Sequence, residues 1–166
     1  MRSRWIRGGL AGLAGGVAWL LGLIVFFGPA QAVLTDPALQ SAKMLAAFAP
    51  GEGEPRTLAS PAILVAGIFV IGCLWGLVYA GIASAWTASW WRRGLLFGLA
   101  GFTLMVPWFE FYLPWNVLRE PALLVALELA CWALVLLGVG VAIAGVDALL
   151  GRAHIPRKAA MRSSSA

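Results

Sequence analysis

Acidic side chains embedded in apolar sequence mark the places where this chain could do chemistry, and three stand out: Glu110, Glu128 and Asp147. A charge inside the hydrocarbon of a bilayer is costly unless it is paired, hydrated or neutralised. Glu110 falls just before the end of one apolar run, and Glu128 lies about 10 Å into the next, at a rise of about 1.5 Å per residue. Consecutive antiparallel helices would bring both into one outer layer, beside Trp108, Tyr112, Asn116 and Arg119. Pro107 frees a carbonyl and bends the helix just ahead of Glu110. Two readings follow. In the functional one, Glu110, Glu128, Tyr112, Asn116 and Arg119 line a small polar site that opens outward and suits a proton or a cation. In the structural one, Glu110 reaches the lipid headgroups and Glu128 is neutral, donating a hydrogen bond to a neighbouring helix. Asp147, close to Arg152 and His154, reads as an interfacial residue with a basic neighbour.

Other reactive constellations are missing from the sequence. His154 is the single histidine, which leaves no material for a His-based triad or a multi-His metal site. No Walker loop, GxSxG or HExxH is present. Cys73 and Cys131 both sit near the middle of apolar runs, without CxxC or Cys/His ligand spacing, and read as packed thiols. The expectation is a protein without enzymatic activity, cofactor or metal.

The elements that position these residues are membrane helices. Of 166 residues, 61% are hydrophobic and only 11% are charged, against about 25% charged in a typical soluble domain. Four apolar runs reach the roughly 20 residues needed to cross hydrocarbon, at about 8–27, 62–86, 94–113 and 121–146. Helix is required there because lipid cannot satisfy open backbone groups. Arg2, Arg4, Arg7, Arg92, Arg93, Arg152, Arg157, Lys158 and Arg162 fall on one side of this topology, and only Lys43, Arg56 and Arg119 on the other. The positive-inside rule then places both termini in the cytoplasm. The net charge of +5 is accounted for by topology and anionic lipid, and no nucleic-acid motif accompanies it.

Small residues recur every fourth position within the runs: Gly8, Gly12 and Gly16; Gly72 and Gly76; Gly94 and Gly98; Gly138 and Ala142. Each set shares a helix face and permits close backbone approach, the basis of helix association in lipid. Arg7-Gly8-x-Leu10-x-Gly12-Leu13-Ala14-Gly15 also matches Arg93-Gly94-x-Leu96-x-Gly98-Leu99-Ala100-Gly101. Val33-Leu34-Thr35-Asp36-Pro37-Ala38-Leu39 matches Val117-Leu118-Arg119-Glu120-Pro121-Ala122-Leu123. The order is kept, as in an internal duplication of two hairpins. Both halves enter from the same side, so the repeat is parallel, about an axis along the membrane normal. A competing alignment pairs Pro61-Ala62-Ile63-Leu64 with Pro121-Ala122-Leu123-Leu124, which leaves the duplication boundary open.

The basic start and Ala30-Gln31-Ala32 resemble a signal peptide, but the apolar run exceeds the roughly 7–15 residues of a signal core. We read the first run as a retained helix. Beyond Gly28-Pro29, Asp36 with Pro37 reads as the N-cap and first turn of a short interfacial helix, 38–48. It would set Leu39, Leu45 and Phe48 on the membrane and leave Gln40, Ser41 and Lys43 wetter. Pro50–Pro55 reads as an exposed turn. Trp86, Trp90 and Trp91 form an inner aromatic belt and Trp108, Tyr112 and Trp115 an outer one, and a basic tail begins at residue 151.

The helix starts RGGLAGLAGG and RRGLLFGLAG, with Trp75-Gly76-Leu77-Val78-Tyr79-Ala80, resemble small four-helix inner-membrane proteins of bacteria. The resemblance brings no activity or functional residue with it. The expected protein is therefore all-α and polytopic, one transmembrane domain over 1–150 plus a flexible cytoplasmic tail. It is expected to act in the bacterial cytoplasmic membrane as a non-enzymatic component or scaffold, packing in the bilayer against itself or a membrane partner. The alternative is a small carrier or channel that uses Glu110 and Glu128.

Overall fold

The computed structural model describes residues 2–48 and 60–153, and among these every regular element is helical. In chain order they are α1 (Arg2–Gly22), a π-helical segment (Leu23–Phe27), α2 (Gly28–Leu34), α3 (Ala42–Phe48), α4 (Pro61–Ile82), a 3-10 turn (Ala83–Ala85), α5 (Trp90–Glu110), a second π-helical segment (Phe111–Val117) and α6 (Ala122–Ala153). Four stretches are long and apolar enough to cross a membrane: Arg4–Leu34, Pro61–Ala85, Trp90–Val117 and Ala122–Arg152. The chain is a polytopic helical membrane protein.

The first, third and fourth of these spans exceed the lengths expected from the apolar runs, while the second matches. Gly28-Pro29 was expected to end the first helix, yet the helix continues to Leu34. The π-helical turn before Pro29 loosens the usual hydrogen-bond register, and Pro29 then occupies the first turn of α2, where its missing N–H costs little. The third span does the same: Pro107 lies inside α5 and Pro114 inside the π-helical segment that follows it. Ser60 starts α4, its Oγ accepting from Ala62 N at 3.2 Å, with Pro61 at the first position.

In the bundle α1 packs against α4 on one side and α6 on the other, and α5 packs against α6. Glycines bring α1 onto α4 and α5 onto α6 backbone to backbone, whereas α1 meets α6 through Gly15 and Gly22 against the side chains of Ile143 and Val135. Gly8 and Gly12 lie on Gly76 and Gly72 of α4, while Gly94 and Gly98 of α5 lie on the α6 backbone at Gly140 and Leu136. A Cβ at Gly8 would stand 2.7 Å from Cβ of Ala80, and one at Gly94 2.7 Å from Cα of Val141. Gly16 continues the α1 face against Phe69. The fourth helix departs from expectation, for Gly138 faces open space and Gly140 carries the contact. Helix α6 meets α5 along a face two residues round from the one chosen by its GxxxA spacing.

The core is aromatic where the glycines are absent. Ring contacts run from Tyr79 to Phe97 (centroids 5.3 Å), Phe97 to Trp75 (5.7 Å), Trp75 to Trp19 (5.8 Å), Trp19 to Trp132 (6.2 Å) and Trp132 to Phe27 (4.9 Å). Tilted and edge-on pairs of this kind are favoured by the ring quadrupole.

The far end, opposite the basic one, also differs from expectation. Asp36 caps only a turn, accepting from Ala38 N at 2.9 Å. The short helix starts later, at Ala42, with Ser41 Oγ accepting from Met44 N at 2.9 Å. Lys43 is exposed as expected, whereas Gln40 and Ser41, expected to face water, are half-buried, and all three make hydrogen bonds here. Gln40 donates to Leu34 O, Ser41 to Leu118 O at 2.6 Å, and Lys43 to Val117 O at 3.3 Å. The turn at 117–120 leaves carbonyls that need donors, and Ser41 and Lys43 supply them, while Gln40 closes its own segment onto Leu34. Leu39 and Leu45 are exposed, as expected for side chains against a membrane surface. The Phe48 side chain, the Pro50–Pro55 turn, His154 and the rest of the tail lie outside the described residues.

Candidate functional site

Glu110 is the last residue of α5 and the entry to the π-helical segment. Only 2% of it is exposed. Its carboxyl faces that of Glu128 on α6, and its Oε2 has no hydrogen-bond partner. The helix pair α5–α6, in backbone contact where Gly98 meets Leu136, is what brings the two together. Glu110 also lines a cavity of about 420 Å³, whose other walls are apolar and include Trp19, Trp75, Trp108 and Trp132. A carboxyl in such a place is short of both water and donors, the condition under which a cation or a proton is held.

The other residues expected at this site are placed elsewhere. Tyr112 is exposed and stacks on Trp108, with ring centroids 5.7 Å apart. Asn116 and Arg119 are exposed on the connection to α6. Arg119 has φ of 57°, the left-handed region that a bulky side chain seldom adopts. The connection turns back so sharply that these side chains point off the bundle.

Glu120, which nothing in its sequence context marks as part of a site, is 6% exposed. Its Oε1 lies 3.5 Å from Ser41 Oγ, and its Oε2 is buried without a partner. Burial pushes this carboxyl above the usual carboxylate range, the charge of Glu128 adds to that, and hydrogen bonding with Ser41 opposes it. Glu120 precedes Pro121 in what reads as a polar turn, and only the docking of residues 40–43 onto that turn buries it.

A second polar cluster sits at the basic end. Arg7 Nε donates to Asp147 Oδ1 at 2.7 Å, so Asp147 pairs across the bundle with α1 and not with Arg152, which is exposed. Arg93, the matching residue of the second sequence block, donates from Nη1 to Ala83 O at 3.3 Å, and its Nε is buried without a partner. Tyr79 OH is buried beside them, also without a partner. Cys131 Sγ reaches Phe26 O at 3.6 Å, and both cysteines are free thiols. Among the described residues no group of three His, Cys, Asp or Glu is placed to hold a metal ion.

Fold and site together define a polytopic α-helical membrane protein in which a buried carboxyl, Glu110, faces a half-buried one, Glu128. No family model matches the chain, and neither the curated proteins nor the solved structures give a match.

Proposed function

We propose that the chain is a non-enzymatic component of a bacterial cytoplasmic membrane, built from two duplicated hairpins and acting by packing against itself or a membrane partner. The observation that carries this reading is the burial of Glu110, at 2% exposure, against Glu128 on the neighbouring helix. A conducting carboxylate needs a hydrated route, and the cavity that Glu110 lines is walled by aromatic and aliphatic side chains. Backbone-to-backbone glycine contacts favour a rigid bundle, as a scaffold requires. Duplication is supported by corresponding contacts. Gly8 meets Gly76 and Ala80, and Gly94 meets Gly140 and Ala144, in the same order on α1–α4 and α5–α6. Cytoplasmic termini are supported by the basic ends of α1, α5 and α6.

Reporter fusions after Ala166 are expected to read cytoplasm and an insertion at Gly53 the outer side. Purified protein in liposomes is expected to pass no cation or proton. A second reading, a small cation or proton carrier, is favoured by one observation, the unpartnered Oε2 of Glu110. Ion flux in wild type that is lost in Glu110→Gln and Glu128→Gln would replace the scaffold by the carrier.

A further inference from the structure

We propose that the cleft between α4 and α5 binds a single-chain amphiphile with an ammonium head, its apolar chain along the cleft and its nitrogen at the Glu110 carboxyl. Helices α4 and α5 are the outer members of the bundle, and they meet through Trp75 and Tyr79 against Phe97. That leaves two adjoining cavities. One, of about 240 Å³, begins at Ile82 and Phe97 near the basic end; the other, of about 420 Å³, ends at Trp108 and Glu110. They share Trp75, Leu104 and Met105. From Phe97 to Glu110 along α5 the run is roughly 20 Å at 1.5 Å per residue, which suits an extended hydrocarbon chain within a core about 30 Å thick.

Charge complementarity selects the head. Among the described residues Glu110 is the sole ionisable group lining either cavity. It is 2% exposed, its Oε2 has no donor among the described residues, and the group it faces, Glu128, is another carboxyl that brings no positive charge, so a cation reaching Glu110 supplies what the site lacks. Among the described residues the far-end cations do not fill this role: Lys43 is exposed and bonded to Val117 O, and Arg119 is exposed. An ammonium fits better than a metal ion, because no third ligand accompanies the two carboxyls among the described residues. Trp19, Trp108 and Trp132 supply π faces suited to an organic cation. The inference stands on the cleft and requires no transport, so absence of ion flux leaves it intact.

The test uses full-length protein in nanodiscs of zwitterionic lipid, which removes surface attraction as a cause. Tryptophan quenching is measured with a brominated long-chain alkylamine and with the carboxylate of the same chain. Saturable quenching by the amine, with apparent affinity about tenfold above the carboxylate, is the expected result, and Glu110→Gln or Glu128→Gln should abolish the preference. Equal quenching by the two probes overturns the proposal, as does a preference that survives in both well-folded Gln variants. If the variants do not fold, the wild-type comparison decides alone. A cleft covered by a second copy would give a dimer and no saturable quenching by either probe, which also overturns it.

Discussion

Arg7 on α1 holds Asp147 on α6 at 2.7 Å, whereas Arg93, its counterpart on α5, finds only the carbonyl of Ala83 on the chain that follows α4. The glycine contacts equate Gly76 with Gly140, and the same step along the helices equates Ala83 with Asp147. One half thus keeps a cross-bundle ion pair where the other has an arginine with its Nε unpartnered. Asp147→Asn should lower stability by about 1–3 kcal/mol, since the lost bond is charge-assisted and Asp147 is buried. Ala83→Asp should raise the thermal midpoint by giving Arg93 its missing acceptor. Thermal unfolding in detergent checks both. A lower midpoint for Ala83→Asp would mean that the two halves are not equivalent at this end.

Neighbouring glycines of α6 should respond in opposite directions. Gly140 touches the backbone of Gly94 and Gly98, and a methyl there forces α5 away, at about 1–3 kcal/mol for overpacking. Gly138 has nothing within 4 Å, so Gly138→Ala should stabilise by up to about 1 kcal/mol through helix propensity. Gly12→Leu and Gly98→Leu should loosen the bundle more than Gly140→Ala does. Leu104→Ala, at a side chain 80% exposed, is the control and should change little. Equal midpoints across this set would remove glycine packing as the source of stability.

The pH dependence of the far end should follow Glu120. Its carboxyl is raised in the folded protein, so the folded state binds the proton more tightly than the unfolded chain. Its favourable contribution is complete below the ordinary carboxylate pKa, about 4.3, and is lost as pH rises through the folded value. The groups acting on it are Glu128, which opposes ionisation, and Ser41, which favours it. Stability of the wild type should therefore fall with rising pH in this window, and Glu120→Gln should flatten the fall. Midpoints recorded from about pH 4 to about pH 7 for both proteins decide the point.

Arg119 holds a left-handed backbone conformation with an exposed side chain. Arg119→Gly should relieve about 1 kcal/mol of that conformational cost, partly offset by the greater freedom of glycine in the unfolded chain. Stability should be unchanged or slightly higher, and ligand binding in the cleft should be unaffected. A marked loss of stability would place the guanidinium in a contact that its exposure does not reveal.

Architecture was legible in the sequence because bilayer burial imposes length and composition locally. Each apolar run states by itself that it is a membrane helix, and Gly8, Gly12, Gly72, Gly76, Gly94 and Gly98 state by spacing which faces are smooth. The acids Glu110 and Glu128 were legible too, since apolar surroundings make any carboxyl conspicuous. Which faces meet was not legible. Gly138 and Gly140 are equally glycine, and only the approach of α5 distinguishes them. Asp147 has basic neighbours along the chain, but a helix ending beside Arg7 brings a closer partner from the other terminus. The shared Pro61 and Pro121 starts are about one turn out of step with the contacts that relate α4 to α6, because a helix can slide along its partner while keeping its small face aligned. Burial of Glu120 was likewise set by a turn folding under Ser41 and Lys43. Periodicity and hydropathy are properties of one segment at a time; pairing, register and the cleft left between α4 and α5 are properties of several segments at once, and tertiary packing alone decided them.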